Sequence, residues 1–211
     1  MTNPYDERYE QPGHYWGKAP SRMCYRVLQL LPPDRPLRLL DIGCGEGRNA
    51  VFFARNGYRV TAFDTSPAGI AKTSQLAADA GVRIEAFVAD INVFHLTEPF
   101  DVLFSTGVLQ YVPPQARGNL FAHYQEHTRA GGLNAFSVFV KKPFIPESPD
   151  AEETAHKWRS GELFTYYHDW RIEFCTEEIF GCISGGVPHQ HAVNRMVARK
   201  ETSEPGSTGN T

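Results

Sequence analysis

Apolar and polar positions along this chain fall into two alternating rhythms. Short apolar runs at residues 37–40, 58–63, 82–89, 100–105, 133–140, 170–174 and 192–199 have strand length, and the first three run directly into Asp41, Asp64 and Asp90. Residues 20–31, 49–57, 66–80 and 114–129 instead carry apolar side chains at helical spacing, such as Val27, Leu28, Leu30 and Leu31 after Ser21. Ser66-Pro67 is a helix start, with Ser as cap and Pro at the first helical position, and Gly81 stops that helix. Gly131-Gly132 is expected to end the helix begun at Pro114. Residues 5–18 are aromatic and polar without a clear period. Residues 142–150 hold Pro143, Pro146 and Pro149 and read as a loop, and 153–169 read as helical in their second half. Gly185-Gly186 separate the last two strands. Alternating strands and helices predict an α/β fold, a doubly wound, mostly parallel seven-stranded sheet with helices on both faces.

The first strand runs into Asp41-Ile42-Gly43-Cys44-Gly45-Glu46-Gly47-Arg48-Asn49, and the second ends at Asp64. Glycines after a strand let the backbone approach a ligand. An acid one strand later can accept hydrogen bonds from ribose hydroxyls. A dinucleotide loop needs Gly-x-Gly-x-x-Gly, to seat a pyrophosphate on the helix N-terminus. Here the third glycine comes one residue early and position 48 is Arg. An NAD-type oxidoreductase is therefore disfavoured, though it stays open as an alternative.

Asp-x-Gly-x-Gly-x-Gly resembles motif I of class I S-adenosylmethionine (SAM) methyltransferases, whose cofactor carries no phosphate. Within that superfamily the chain is similar to the tellurite-resistance methyltransferase family, TehB. The similarity is carried by residues 41–49, by Asn56-Gly57-Tyr58 and by Phe100-Asp101-Val102-Leu103-Phe104-Ser105-Thr106. It continues in Ser160-Gly161-Glu162-Leu163 with Tyr166-Tyr167 and Trp170, and in Met196-Val197-Ala198-Arg199-Lys200. The resemblance implies a Rossmann-like sheet with an antiparallel last strand and SAM as cofactor. It implies cofactor contacts at Asp41, Gly43, Gly45, Gly47, Arg48, Asn49, Asp64, Thr65, Asp90, Ile91, Ser105 and Thr106. Asp41 would face the methionine ammonium, Asp64 the ribose and Asp90 the adenine amino group, with Ile91 against the ring. TehB-like sequences carry a His-Arg pair and a further Arg between the last two strands, associated with an oxyanion substrate. Here no Arg lies between Arg171 and Arg195, so those roles are not carried over.

Composition narrows the partners. With 211 residues, 41% hydrophobic and 21% charged, the chain suits one globular domain. A net charge of −3 gives no footprint for nucleic acid. No apolar run spans a membrane, and four cysteines without a CxxC pair suit a reducing cytoplasm. The expected division is an N-terminal aromatic segment and helix acting as a lid (1–36), a methyltransferase domain (37–200) and a disordered tail (201–211). The expected partner is a small-molecule substrate, and the assembly a monomer or homodimer.

Tyr5, Tyr9, Tyr15 and Trp16 crowd the start of the chain. They read equally as a lid offering aromatic faces to a sulfonium or as a segment packed on the sheet. Tyr15, Trp16 and Cys182 are the expected substrate contacts. His189 and His191, two apart, share one face of an extended segment and are the expected catalytic pair for proton transfer. With Cys182 they offer metal-binding side chains, but no fourth protein ligand can be named and no metal is expected. The expected chemistry is in-line displacement at the sulfonium methyl, mostly by positioning, on a small, soft or uncharged acceptor. Tellurite, selenite and thiols belong to the acceptor set, and a non-catalytic SAM-binding module is the other alternative.

Overall fold

The computed structural model describes residues 4–148, 151, 154–183 and 186–202. Its elements in chain order are α1 (Pro4–Glu10), α2 (Arg22–Leu30), β1 (Arg38–Ile42), α3 (Arg48–Arg55), β2 (Arg59–Asp64), α4 (Pro67–Asp79) and β3 (Ile84–Val88). Then follow β4 (Phe100–Thr106), a 3-10 turn (Leu109–Tyr111), α5 (Pro114–Glu126), β5 (Thr128–Val140), α6 (Glu162–Thr165), β6 (Arg171–Cys182) and β7 (His189–Arg199). The seven strands form one sheet in the order β3-β2-β1-β4-β5-β7-β6. All neighbours are parallel except β7, which runs antiparallel to β5 and β6.

Strand alternation assigns each side chain to one of two cores. Leu40, Ile42, Phe63, Leu103, Phe136 and Val138 face α5 and the 158–167 stretch, where Phe121, Trp158, Leu163 and Tyr167 are buried. Leu39, Val60, Ala62, Val102, Phe104 and Ala135 face α2 and α3, which contribute Met23, Val27 and Phe53. The helix starts follow local chemistry. Ser21 accepts from the Met23 amide at 3.3 Å, and the Ser66 hydroxyl accepts from Gly69 N–H at 3.0 Å with Pro67 following it.

The structure differs from the sequence reading in four places. Residues 4–10 form α1, too short for a period to show, with Tyr5 and Tyr9 one turn apart. Helix α5 ends at Glu126, and Gly131-Gly132 lie inside β5 rather than after a helix. The cause is a register shift against β4 between Phe100 and Val102. A Cβ on Gly132 would come within 2.7 Å of the Asp101 carbonyl, so glycine is what lets the strands stay close. Between 154 and 169 the helix is only Glu162–Thr165. Trp158 makes a parallel bridge to Val140 and is fully buried, so packing sets that stretch. The final hairpin is longer than its apolar runs, because β6 continues through the polar Thr176-Glu177-Glu178 to Cys182 at the sheet edge. The expected tail beyond residue 202, Pro149 of the loop and Gly185 of the turn lie outside the described residues. Among the described residues no helix is long and apolar enough to cross a membrane.

Candidate functional site

The chain winds from β1 outward through β2 to β3, then crosses back to β4 on the other side of β1. Such a reversal opens a crevice at the carboxyl ends of the strands. A cavity of about 570 Å³ lies there. Of the sequence-predicted cofactor residues, Gly43, Gly45, Arg48, Asn49, Asp64, Thr65, Asp90, Ile91 and Thr106 line it.

Asp64 is held rigidly in this wall. Its two oxygens accept from the amides of Gly45 at 2.8 Å and Ser66 at 3.0 Å, so the carboxylate is fixed while a lone pair on each oxygen remains. Burial raises the Asp64 pKa, and the amides pull against that rise. Gly45 has φ +55°, and a Cβ there would meet the Tyr9 hydroxyl at 2.9 Å. The loop is thus held under an aromatic roof. Asp90 turns its carboxylate onto Asn92, whose amide donates at 2.8 Å, beside the buried Ile91. Asn49 joins the loop to β4: its carbonyl oxygen accepts from Ser21 N–H at 2.9 Å, and its amide donates to Thr106 Oγ1 at 3.3 Å.

The roof is tied down on several sides. Trp16 donates its indole N–H to Tyr9 Oη at 3.1 Å, and its carbonyl accepts from Arg48 at 2.9 Å. Glu46, almost fully buried, meets Lys72 at 2.9 Å, and Lys72 also donates to the carbonyls of Gln11 and Gly13 at 2.7 Å. Asp6 of α1 accepts from the Ser66 hydroxyl and from the Ala68 amide at 3.1 Å, which docks α1 on the start of α4.

Other predicted residues lie off the cavity wall. Gly47 faces Thr73, and the Ser105 hydroxyl donates to the Ile42 carbonyl at 3.0 Å. Asp41 is buried beneath the glycine loop, and among the described residues no donor makes a well-formed hydrogen bond to either oxygen. Burial, and then the Asp64 charge, push its pKa up to about 7, with Arg48 and the Ala50 amide opposing. Tyr15 is half-exposed and stands edge-on to Trp16 at 4.7 Å. Cys182, His189 and His191 belong to the same sheet face as the cavity but lie further along the hairpin. His191 packs on Phe139 and Phe180, whose rings do line the cavity.

The end of the cavity beyond the loop was not read from sequence. Ser137 and Phe139 of β5 stand opposite Arg195 and Val193 of β7, and all four line it. Cross-strand partners share a face, so alternation in 133–140 and 192–199 could have found them had the pairing been known. Arg195 stands on β7 itself, just outside the stretch between Arg171 and Arg195 that holds no arginine. Its guanidinium pairs with Glu178 and lies 5.9 Å from the Phe180 ring centre.

The fixed Asp64, the close glycine loop, Asp90 with Ile91, and a buried carboxylate with poorly met oxygens fit a nucleoside bearing free hydroxyls and a cationic arm. They do not fit a pyrophosphate, which would meet carboxylates where it needs donors.

The profile of the family described as "Tellurite resistance protein TehB" matches residues 25–183. A protein of Eikenella corrodens named "Hemagglutinin 1" is 33% identical over 169 residues, 78% of this chain and 55% of its own length. "Probable S-adenosyl-L-methionine-dependent methyltransferase TehB" of Haemophilus influenzae is 30% identical over 137 residues, 65% of this chain and 47% of its own. The crystal structure of TehB from Haemophilus influenzae superposes with a TM-score of 0.73 at 26% identity, over 84% of this chain and 62% of that one. The chain thus spans about half the length of the curated relatives it matches.

Proposed function

Because the chain belongs to the TehB family, we propose that it transfers a methyl group from SAM to a small-molecule acceptor. The supporting observation is the single cavity wall that runs from Asp64 and Asp90 at one end to Ser137 and Arg195 at the other. SAM supplies an electrophilic methyl carried on a sulfonium. Asp64 would hold the ribose, Asp90 and Ile91 the adenine, and Asp41 would answer the positive arm from beneath the loop. Asn49 and Thr106 fix the end of β4 against the glycine loop, and the Tyr9–Trp16 roof keeps water out. With reactants so confined, alignment alone can lower the barrier by ~7–11 kcal/mol.

The acceptor end favours a small molecule with one anionic group and a soft nucleophilic atom. Arg195 gives the charge, Ser137 a hydroxyl, and Phe139, Phe180 and Val193 apolar walls. His189 and His191 stand off the wall, so an acceptor that needs no base suits the site better than one that does. Tellurite and selenite combine charge with a lone pair on the central atom, and small thiols are the neutral counterpart.

The test is formation of S-adenosylhomocysteine with tellurite, selenite and a thiol panel, in wild type and Arg195→Met. Turnover of the oxyanions, falling at least ~10-fold in kcat/KM in the variant while thiols are spared, is the expected result; the loss matches one charged hydrogen bond. Tight SAM binding without turnover of any acceptor would favour a non-catalytic SAM-binding module. Binding of NAD in place of SAM would favour an oxidoreductase.

A further inference from the structure

The end of the β6–β7 hairpin brings together three metal-ligating side chains that the cavity does not use. Cys182 stands opposite His189, and Phe180 opposite His191, in the antiparallel register. Directly opposite residues project to one face, and so do alternate ones. The register therefore gathers Cys182, His189 and His191 on the same side of the sheet. The thiol sulfur and one ring nitrogen from each histidine all lie within 4.8 Å of one another, and all three residues are half-buried.

Hydrogen bonds turn the two imidazoles toward each other. His189 Nδ1 lies 2.7 Å from the Val187 carbonyl and donates to it, which leaves its Nε2 as a lone pair. A backbone carbonyl on the far ring nitrogen is the usual outer support of a metal-bound imidazole. Nε2 of His191 lies 2.9 Å away, so His191 is the donor of that contact. Two imidazoles at N–metal distances of about 2.0–2.1 Å in tetrahedral geometry would stand roughly 3.3 Å apart. The pair needs to open by only a few tenths of an ångström.

A second group of donors, His123, Glu126 and His127 on and after α5, is less suited. His123 Nε2 accepts from the Leu96 amide at 2.9 Å, and His127 Nδ1 is at 2.9 Å from the His123 carbonyl. The lone pair of His123 Nε2 is thereby committed to a backbone amide, which a metal at that nitrogen would have to displace.

We propose that Cys182, His189 and His191 bind one borderline-soft divalent cation of the Zn²⁺ class, with a fourth position left open to water or another ligand. A thiolate with two imidazoles is a donor set for such ions, and three protein ligands with an open position is a known zinc arrangement. Binding takes the proton from the Cys182 thiol and moves the Nε2 proton of His191 to its other ring nitrogen. About one proton is released per ion, and nothing is oxidised or reduced. Because His191 packs on Phe139 and Phe180, the ion also fixes the rings that wall the acceptor end of the cavity. The site stands independently of the methyltransferase reading.

The experiment uses the full chain without added cofactor. Zn²⁺ is titrated in competition with a chromophoric chelator, and Co²⁺ serves as the spectroscopic probe. The expected result is one ion per chain, with a thiolate-to-cobalt charge-transfer band and the visible bands of tetrahedral Co²⁺. Cys182→Ser should remove the charge-transfer band, and Cys182→Ser and His191→Ala should each weaken Zn²⁺ by more than the ~10–100-fold that loss of an outer-shell partner costs. Cys175→Ser and His127→Ala should leave both readouts unchanged. Failure of the wild-type chain to bind Zn²⁺, cobalt binding without the charge-transfer band, or Zn²⁺ affinity unchanged in Cys182→Ser would each overturn the proposal. The wild-type cobalt spectrum decides the question even if a variant fails to fold.

Discussion

Asp64 is held by two backbone amides, at 2.8 and 3.0 Å, before any ligand arrives. Removing it deletes a fixed acceptor rather than a flexible one. Asp64→Ala should weaken S-adenosylhomocysteine binding by roughly 1.5–3 kcal/mol, the scale of a charged hydrogen bond, measured by calorimetry. Gly45→Val should lose binding more completely, because its side chain would collide with Tyr9 and its φ of +55° suits glycine. Near-wild-type affinity in both folded variants would remove the cofactor assignment. Asp41 makes a pH prediction. Its pKa near 7 means that below neutrality it carries a proton. A cationic ligand favours the ionised form, so SAM affinity should rise between pH 6 and pH 8 and then level off, and Asp41→Asn should flatten that profile. The same group shapes stability. Its folded pKa lies above the unfolded value, so its contribution is complete below about pH 4 and is lost as pH rises through 7. The ligand-free Asp41→Asn variant should therefore gain stability over wild type at pH 8 relative to pH 5, by roughly 2.7 kcal/mol, the part of the loss that falls between pH 5 and 7. Equal differences at the two pH values in urea unfolding would show that Asp41 ionises freely.

At the scale of elements, α1 and the residues up to Trp16 are anchored at three places: the start of α4, the glycine loop through Glu46 and Lys72, and Arg48. A segment anchored in this way tightens when its roof gains a ligand. Hydrogen exchange of residues 5–18 should slow on addition of S-adenosylhomocysteine, and unchanged exchange would reduce the segment to packing. The crossover after β5 depends on a buried cation. Arg117 of α5 is 1% exposed, pairs with Glu162 at 2.7 Å, donates to the His156 carbonyl at 2.7 Å and stacks 3.9 Å from the Trp158 ring centre. Arg117→Ala leaves Glu162 and that carbonyl without their partner and should cost roughly 3–5 kcal/mol in denaturant unfolding. Arg117→Lys should not restore it, since an ammonium cannot stack and fork together. A loss below 1 kcal/mol in Arg117→Ala would mean that apolar packing alone holds the crossover.

For the whole molecule, the cavity draws on β2, β4, β5, β6 and β7, on the turns after β1 and β3 and on the N-terminal roof, so a ligand there links most of the chain. S-adenosylhomocysteine at 100 times its Kd should add ~2.7 kcal/mol of stability. For a chain of this size that raises Tm by roughly 5–10 °C, measurable by scanning calorimetry. The strand–glycine–helix unit at 37–57 and the acid at 64 could be read directly, because loop, helix start and acid all lie within one local βαβ unit. The helix at 67–79 carried its own cap and proline for the same reason. Local signals of this kind do not depend on which strands pair. The acceptor end did depend on it. Arg195, Ser137 and Phe139 come from strands whose adjacency is decided by the antiparallel insertion of β7 between β5 and β6. The same insertion sets Cys182 against His189. The roof over Gly45 arises because α1 folds back onto α4, a contact between residues about sixty apart in sequence. The sheet class and the glycine loop follow from neighbouring residues, because their geometry is local. The lining beyond the loop and the hairpin cluster exist only in the folded sheet, because each wall there is shared by segments that meet once the strands have paired.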